Sequence, residues 1–483
     1  MPLSPAVIPE LRRLLGPDGL VVTPEGRMTY ECDMHTFYKG TPELVALPRT
    51  TAQVVELVRL CRRERVAVIP RGSGTGLIGG ATAPEGGIMI STTRMNEILE
   101  IDLANRAATV QAGLINVRLS NAVRDRGYFF APDPSSQMVS SIGGNASTNA
   151  GGPHCLKYGV TVNHVLGLEV VTGAGELARL GGKVADRAGY DLTGVTVGSE
   201  GTLGIVTAVT VRLLHTPEGV RTALAAFASI EDASEAVSAI IAAGIVPAAL
   251  EMLDAAIIRA INEGIHAGYP TGAAAVLLIE LDGPQAEVAA QAERVAAICR
   301  DHRPLAIRVA TTEAERALLW KGRKEAAGVL GRMTANWLLQ DAVVPRSKLP
   351  AIMREVGAIA ARHQLLIANV FHAGDGNLHP LICYDERRPG ERERAIQANE
   401  ELLAACLALG GSVTGEHGVG VDKAKNLPKQ YAPADLNFMA RLRRAWPRSA
   451  DCSAWRTPRG SRSRPAARGR RRASATHRPA STW

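Results

Sequence analysis

The stretch VAVIPRGSGTGLIGGATAPEGG, residues 66–87, constrains this chain more than any other. A short β-branched run ends at Pro70 and opens into a loop holding seven glycines. A strand that delivers bare backbone is an arrangement for holding a ligand. Gly74-Thr75-Gly76-Leu77-Ile78-Gly79 fits the G-x-G-x-x-G spacing, but a dinucleotide fold needs a helix to open there. Ala81 to Gly87 contains Pro84 and two glycines and cannot form that helix. The alternative is a loop whose backbone N–H groups form a nest around phosphate, which points to a phosphorylated cofactor.

Two further tracts share this texture. PDPSSQMVSSIGGNASTNAGG, residues 132–152, is dense in hydroxyl, amide and glycine residues, and GSEGTLGIVTAVTVRL, residues 198–213, sets three glycines before a strand. Such residues present many donors and let a flat ring approach the backbone. Ahead of the first loop the pattern predicts a helix from Thr50 to about Arg65, capped by Thr50 with Gln53 completing a capping box. Strands are expected at Gly87–Ser91, Ala107–Ala112, Val165–Thr172 and Ile205–Leu214.

After Pro217 longer helices and strands alternate. The reading places helices at Glu231–Ala243, Asp254–Glu263, Ala286–Arg300, Glu313–Gly331 and Ser347–His363, with Ser229, Thr311 or Thr312 and Ser347 as N-caps. Strands are expected at Ala275–Leu281, Leu338–Val344, Leu366–His372 and Leu378–Tyr384, and a domain boundary near 215–222. In LLIANVFHAGDGNLHPLICYD, two strands flank the turn AGDGNL. Symmetric pairing puts His372 and His379 opposite each other on one side. A histidine pair alone is more often structural than half a metal site. GSVTGEHGVG adds Glu416 and His417 in a glycine frame. Two imidazoles and a carboxylate leave positions open on a divalent ion, as a catalytic site requires.

Composition removes other classes. Hydrophobic residues at 46% and charged residues at 21% of 483 exclude disorder, collagen and coiled coil. The longest apolar stretches are broken by Gly244 and Pro247 or fall short of the about 20 residues that span a bilayer. The first residues carry no secretion pattern, so a cytoplasmic location is expected, with membrane association only through partners at the inner membrane. Seven cysteines without a C-x-x-C pair offer no iron–sulfur framework, so any such relay belongs to another protein. The net charge of +8 lies in the tail after Trp446, which has ten arginines against one acid. That tail reads as a disordered, out-of-frame product of a GC-rich gene, and no nucleic-acid partner is expected.

In order and spacing, PRGSGTGLIGG, PDPSSQMVSSIGGNASTNAGG with KYG, and GSEGTLGIVT resemble the FAD-binding domain of the vanillyl-alcohol oxidase and p-cresol methylhydroxylase (PCMH) superfamily. Within it they resemble the glycolate oxidase GlcD-type and D-lactate dehydrogenase (cytochrome) branch, over about residues 30–445. The resemblance implies an α+β chain with a two-part FAD-binding domain of the PCMH type, then a C-terminal α+β, ferredoxin-like cap domain with an antiparallel sheet. The expected division is an N-terminal segment 1–38, the FAD-binding domain 39–217, the cap 218–446 and the basic tail 447–483.

The same resemblance implies noncovalent FAD contacted by Arg71, Gly72, Ser73, Gly74, Thr75, Gly76, Leu77, Pro132, Ser135, Gly143, Gly144, Asn145, Ser147, Glu200, Gly204 and Ile205. It makes His372, His379 and Glu416 ligands of a divalent metal, zinc first, with manganese or iron not excluded. It makes His417 the base and Arg323, in ALLWKGRKEAA, the cation for a substrate carboxylate. Asp341 and Arg346 also match its pattern. The implied reaction oxidises a 2-hydroxy acid of the glycolate or D-lactate class, with hydride passing to flavin N5. Expected partners are the substrate, a second FAD-type subunit, and an iron–sulfur subunit or a quinone or cytochrome acceptor. A catalytically silent FAD-binding scaffold subunit is the competing reading. The family closes with an Asn-Pro-Gly-Lys segment where this chain enters its arginine tail, so a cofactor contact and a packing segment are expected to be missing.

Overall fold

The computed structural model describes residues 6–184 and 189–446, and the tail expected at 447–483 lies outside the described residues. The helix read from Thr50 forms over Thr51–Glu64, with Thr50 Oγ1 accepting the N–H of Gln53 at 3.2 Å. The box does not close. Gln53 instead accepts the N–H of Arg49 and donates to the carbonyl of Leu14, tying the helix to the first one, Val7–Leu15. Val54, Leu57, Val58 and Cys61 form its buried stripe against strands Leu44–Ala46, Val68–Arg71 and Ile88–Ser91.

Those strands belong to a four-stranded sheet in which Val68–Arg71 and Leu44–Ala46 flank Ile88–Ser91 in parallel. No helix opens between Arg71 and Ile88. A second, antiparallel sheet has five strands, with Ile205–Arg212 between Ala107–Gln111 and Val165–Val171. The middle glycine tract contains an unforeseen short helix, Ile142–Thr148, closed by Asn149 at φ +54°. It survives two glycines because Gly143 packs on the backbone and Cβ of Ala112, where a side chain would collide.

From residue 219 onward, nine strands form one antiparallel sheet. Helices Ile230–Ala242, Gln285–Asp301, Leu349–His363 and Glu391–Ala408 cover one face, packing on Phe227, Leu250, Ile279 and Phe371. Helices Ala255–Gly264, Glu313–Lys324 and Ala326–Leu330 cover the other, packing on Leu224, Leu253, Leu278 and Val370. Truncating a fully buried side chain such as Phe371 to alanine should cost about 3–5 kcal/mol.

Several elements differ from the sequence reading. Strands Gly219–Phe227, Ala249–Asp254 and Pro304–Val309 and helix Glu391–Ala408 are additional. The expected helix Glu313–Gly331 breaks at Glu325, and the expected strand Leu338–Val344 breaks at Gln340-Asp341 into two pieces with different partners. Ser229 and Thr312 cap their helices, but Ser347 does not; the next helix starts at Leu349 with Pro350 in its first turn. The histidine hairpin is offset by two residues. His372 stands opposite Asn377 and Asn369 opposite Pro380, which makes His379 a diagonal rather than a direct neighbour of His372. Both still share a face, because the side-chain period is two. Among the described residues, no helix is long and apolar enough to cross a membrane.

Candidate active site

A cavity of about 620 Å³ lies between the two glycine-rich sheets and the nine-stranded sheet. Its first wall is built from Arg71, Gly72, Ser73, Gly74, Thr75, Gly76 and Leu77, with Ser135, Gly143, Gly144, Asn145, Ser147, Glu200, Gly204 and Ile205. Pro132 does not line it; the Pro132 carbonyl accepts a hydrogen bond from Asn116 Nδ2 instead. Arg71 lies along the glycine loop, donating to the carbonyl of Ala81 at 2.8 Å, and a side chain at Gly74 would strike its guanidinium. Ser73 Oγ and Asn145 Nδ2 are buried without a hydrogen-bond partner. Unpaired donors beside bare backbone are what an anionic, hydroxyl-bearing cofactor would satisfy, so this wall fits FAD.

The opposite wall carries Arg323, His372, His379, Glu416 and His417 together with Trp337, Leu339, Val370 and Leu381. His372 Nε2 and His379 Nε2 stand 3.2 and 3.0 Å from the same oxygen, Glu416 Oε1. These three ligand atoms lie within 4.8 Å of one another, and the set of two imidazoles and one carboxylate suits a divalent transition-metal ion. His417 stacks on His379, ring centroids 4.9 Å apart and 6° from parallel, with its Nε2 3.7 Å from Glu416 Oε1. The four side chains read as distant in sequence therefore converge.

Their electrostatics follow from burial and neighbours. Burial pushes the His417 imidazole down to about 4, against the pull of the Asp341 carboxylate, so it stands neutral near pH 7. Burial alone would raise Glu416, but His372 and His379 outweigh it and hold the carboxyl well below its usual range. Asp341 is fully buried, and although burial raises it, Lys423 holds it ionised.

Two carboxylates position the loop that carries Glu416 and His417. Asp341 accepts the backbone N–H groups of Gly415, Glu416 and His417, the hydroxyl of Thr414 and the ammonium of Lys423. Glu200, expected as a cofactor contact, lines the cavity, but its carboxylate accepts the N–H groups of Val419 and Gly420 at 2.7 and 2.8 Å. Arg323 also lines the cavity, while its Nε and Nη2 both rest 2.6 Å from Glu251 Oε2. Trp320, on the same helix, is buried. Arg346 donates to the carbonyl of Gly374 in the turn of the histidine hairpin.

Sequence reasoning missed Glu251, Lys423 and Asp33. Asp33 lies against the glycine loop with its Oδ2 unpartnered, and burial raises its carboxyl to about 6. For Glu251 a signal existed: a lone acid inside the apolar run AALEML demands a buried partner.

Comparison with known proteins fits this geometry. Residues 42–181 match the family described as FAD binding domain, and residues 216–447 the family described as FAD linked oxidases, C-terminal domain. The chain is 44% identical over 424 residues to the glycolate oxidase subunit GlcD of Escherichia coli K12, covering 88% of this chain and 85% of that protein. It is 32% identical over 443 residues to the probable mitochondrial D-lactate dehydrogenase of Danio rerio, covering 90% and 88%. The fold is shared with p-cresol methylhydroxylase in a substrate-bound crystal structure, at a TM-score of 0.78 and 18% identity, covering 92% of this chain and 94% of that one. The chain belongs to the FAD-linked oxidases, an FAD-binding domain of the PCMH type followed by the C-terminal domain of that family.

Proposed function

We propose that the protein oxidises a 2-hydroxy acid of the glycolate or D-lactate class to the 2-oxo acid. The observation that carries this reading is the convergence of His372, His379, Glu416 and His417 on one wall of the cavity, facing the glycine loops. FAD would supply the hydride acceptor, and a divalent ion held by His372, His379 and Glu416 would supply Lewis acidity toward the hydroxyl. His417, neutral and adjacent, accepts the hydroxyl proton; such positioned acid–base catalysis contributes roughly 10²–10⁴-fold. Arg323 offers the substrate carboxylate those of its five N–H donors that Glu251 leaves.

The relatives named as glycolate oxidase subunits support a multi-subunit setting for this chain, with an electron acceptor on a partner.

The deciding experiment follows flavin absorbance anaerobically with glycolate and both lactate enantiomers, with and without chelator. Rapid bleaching by at least one acid, lost on chelation and absent in His417→Ala with FAD still bound, is expected. No bleaching by any of the acids would favour a silent scaffold subunit. Bleaching that survives chelation would remove the metal, and bleaching that survives His417→Ala would remove the base.

A further inference from the structure

We propose that Glu251 is a positioning residue that couples substrate-carboxylate recognition to cation binding, by holding Arg323 and His372 with one carboxylate. The inference rests on the roles proposed above for those two residues. Glu251 is 0% exposed, in a strand, Ala249–Asp254, whose residues are all buried. It is the direct cross-strand partner of His372, so both side chains leave the sheet on the same face. His372 Nδ1 lies 2.8 and 2.9 Å from its two oxygens, and Arg323 Nε and Nη2 each lie 2.6 Å from Oε2.

Two consequences follow. A carboxylate on Nδ1 keeps the proton there, which leaves Nε2 as the atom facing Glu416 and raises its strength as a ligand. The same carboxylate fixes two edges of the Arg323 fork, so an incoming anion meets a guanidinium that needs no further ordering. A change at either arm reaches the other through a group that touches neither ion nor substrate.

Glu280, on the adjacent strand, shows what a structural carboxylate looks like in this sheet. It shares the face of Glu251, since it pairs with Ala249, and is almost as buried. Its partners are Thr222, Arg316, Trp320 and His154, and none of them lines the cavity. Both partners of Glu251 do.

The test uses the FAD-loaded protein stripped of divalent ions, titrated with Mn²⁺, and compares wild type, Glu251→Gln, Arg323→Met and the double variant. A glutamine has no charge, keeps a single acceptor oxygen and turns an NH₂ donor toward one of the two donor arms. Glu251→Gln should weaken Mn²⁺ binding about 10–100-fold and raise KM for the hydroxy acid more than it lowers kcat, with FAD content unchanged. Arg323→Met should also shift Mn²⁺ affinity, although Arg323 touches no other proposed ligand than through Glu251. The double variant should show less than the product of the single effects. Wild-type Mn²⁺ affinity in Glu251→Gln, or multiplicative effects in the double variant, would overturn the coupling. If Glu251→Gln fails to fold, unchanged Mn²⁺ affinity in Arg323→Met overturns it as well. A wild type that binds no Mn²⁺ would instead bring down the metal reading and this proposal together, and that arm is read first.

Discussion

Glu200 receives the backbone N–H of Val419 at 2.7 Å, so a residue just ahead of strand Ile205–Arg212 grips the loop of the C-terminal domain that carries Glu416 and His417. It does so from φ +52°, a left-handed conformation costing on the order of 1–3 kcal/mol for a non-glycine residue. Its second oxygen holds Gly420. Glu200→Gln keeps one acceptor and should slow flavin reduction about tenfold with FAD retained; Glu200→Ala should also lose about 1–3 kcal/mol of stability. Stopped-flow reduction rates and denaturant unfolding measure both, and a wild-type rate in Glu200→Gln would show that the grip does not position His417.

Asp341 holds the same loop from the other side, through three backbone N–H groups and Lys423. Asp341→Asn leaves a buried ammonium without its counter-charge, which should cost about 3–5 kcal/mol. Unfolding of Asp341→Asn with Lys423→Met should recover part of that loss, because the second change removes the stranded charge. A double variant less stable than Asp341→Asn alone would contradict this account.

The parts of this site that were legible in the sequence are those whose local rule and tertiary role agree. The loop after Pro70 cannot become a helix because Pro84 and its glycines forbid it, and it does not. His372 and His379 share a face under either hairpin register, since a shift of two residues preserves the period of the strand. What stayed hidden depends on partners far along the chain. Gly219–Phe227 and Ala249–Asp254 lie in a sheet covered on both faces, so they lack the alternation that marks a half-exposed strand. The helix Ile142–Thr148 exists because Ala112 gives its glycines a surface to pack on, which no local propensity reports. Glu200 sits among glycines and looks like a cofactor contact; only the fold reveals Val419 and Gly420 as its partners.

Gly151, in the tract NAGG, tests how closely the two domains meet at the proposed metal ligands. A Cβ added there would run into the carboxylate oxygen Glu416 Oε2 and press on Cys155 Sγ. Gly151→Ala should therefore displace Glu416, lower bound divalent metal after dialysis at least tenfold and abolish substrate bleaching, while the flavin spectrum persists. The order-of-magnitude loss follows from a ligand moved out of reach of the ion. Full metal content in Gly151→Ala would mean that the loop yields and that this contact is not limiting.

His154 links the domains at a distance from the cavity, and its charge makes that link depend on pH. Its Nδ1 lies 2.8 Å from Asp133 in the FAD-binding domain and its Nε2 3.2 Å from Glu280 in the C-terminal sheet, with the ring stacked on Trp320. Tyr158 and Lys157 reinforce the junction on Asp282. Burial works against the imidazolium, but the two carboxylates raise His154 to about 10. An unfolded histidine titrates near about 6.5, so the stabilisation is complete below that pH, declines as pH rises, and is gone above the folded value. Its size should be on the order of a few kcal/mol, part of it offset by the desolvation of the buried charges. Unfolding free energies measured from about pH 6 to about pH 10 should fall for the wild type relative to His154→Gln, the difference closing at the alkaline end. Other groups titrate in this interval, but they shift both proteins alike and cancel in the difference. Parallel curves would show that His154 carries no extra proton at the junction.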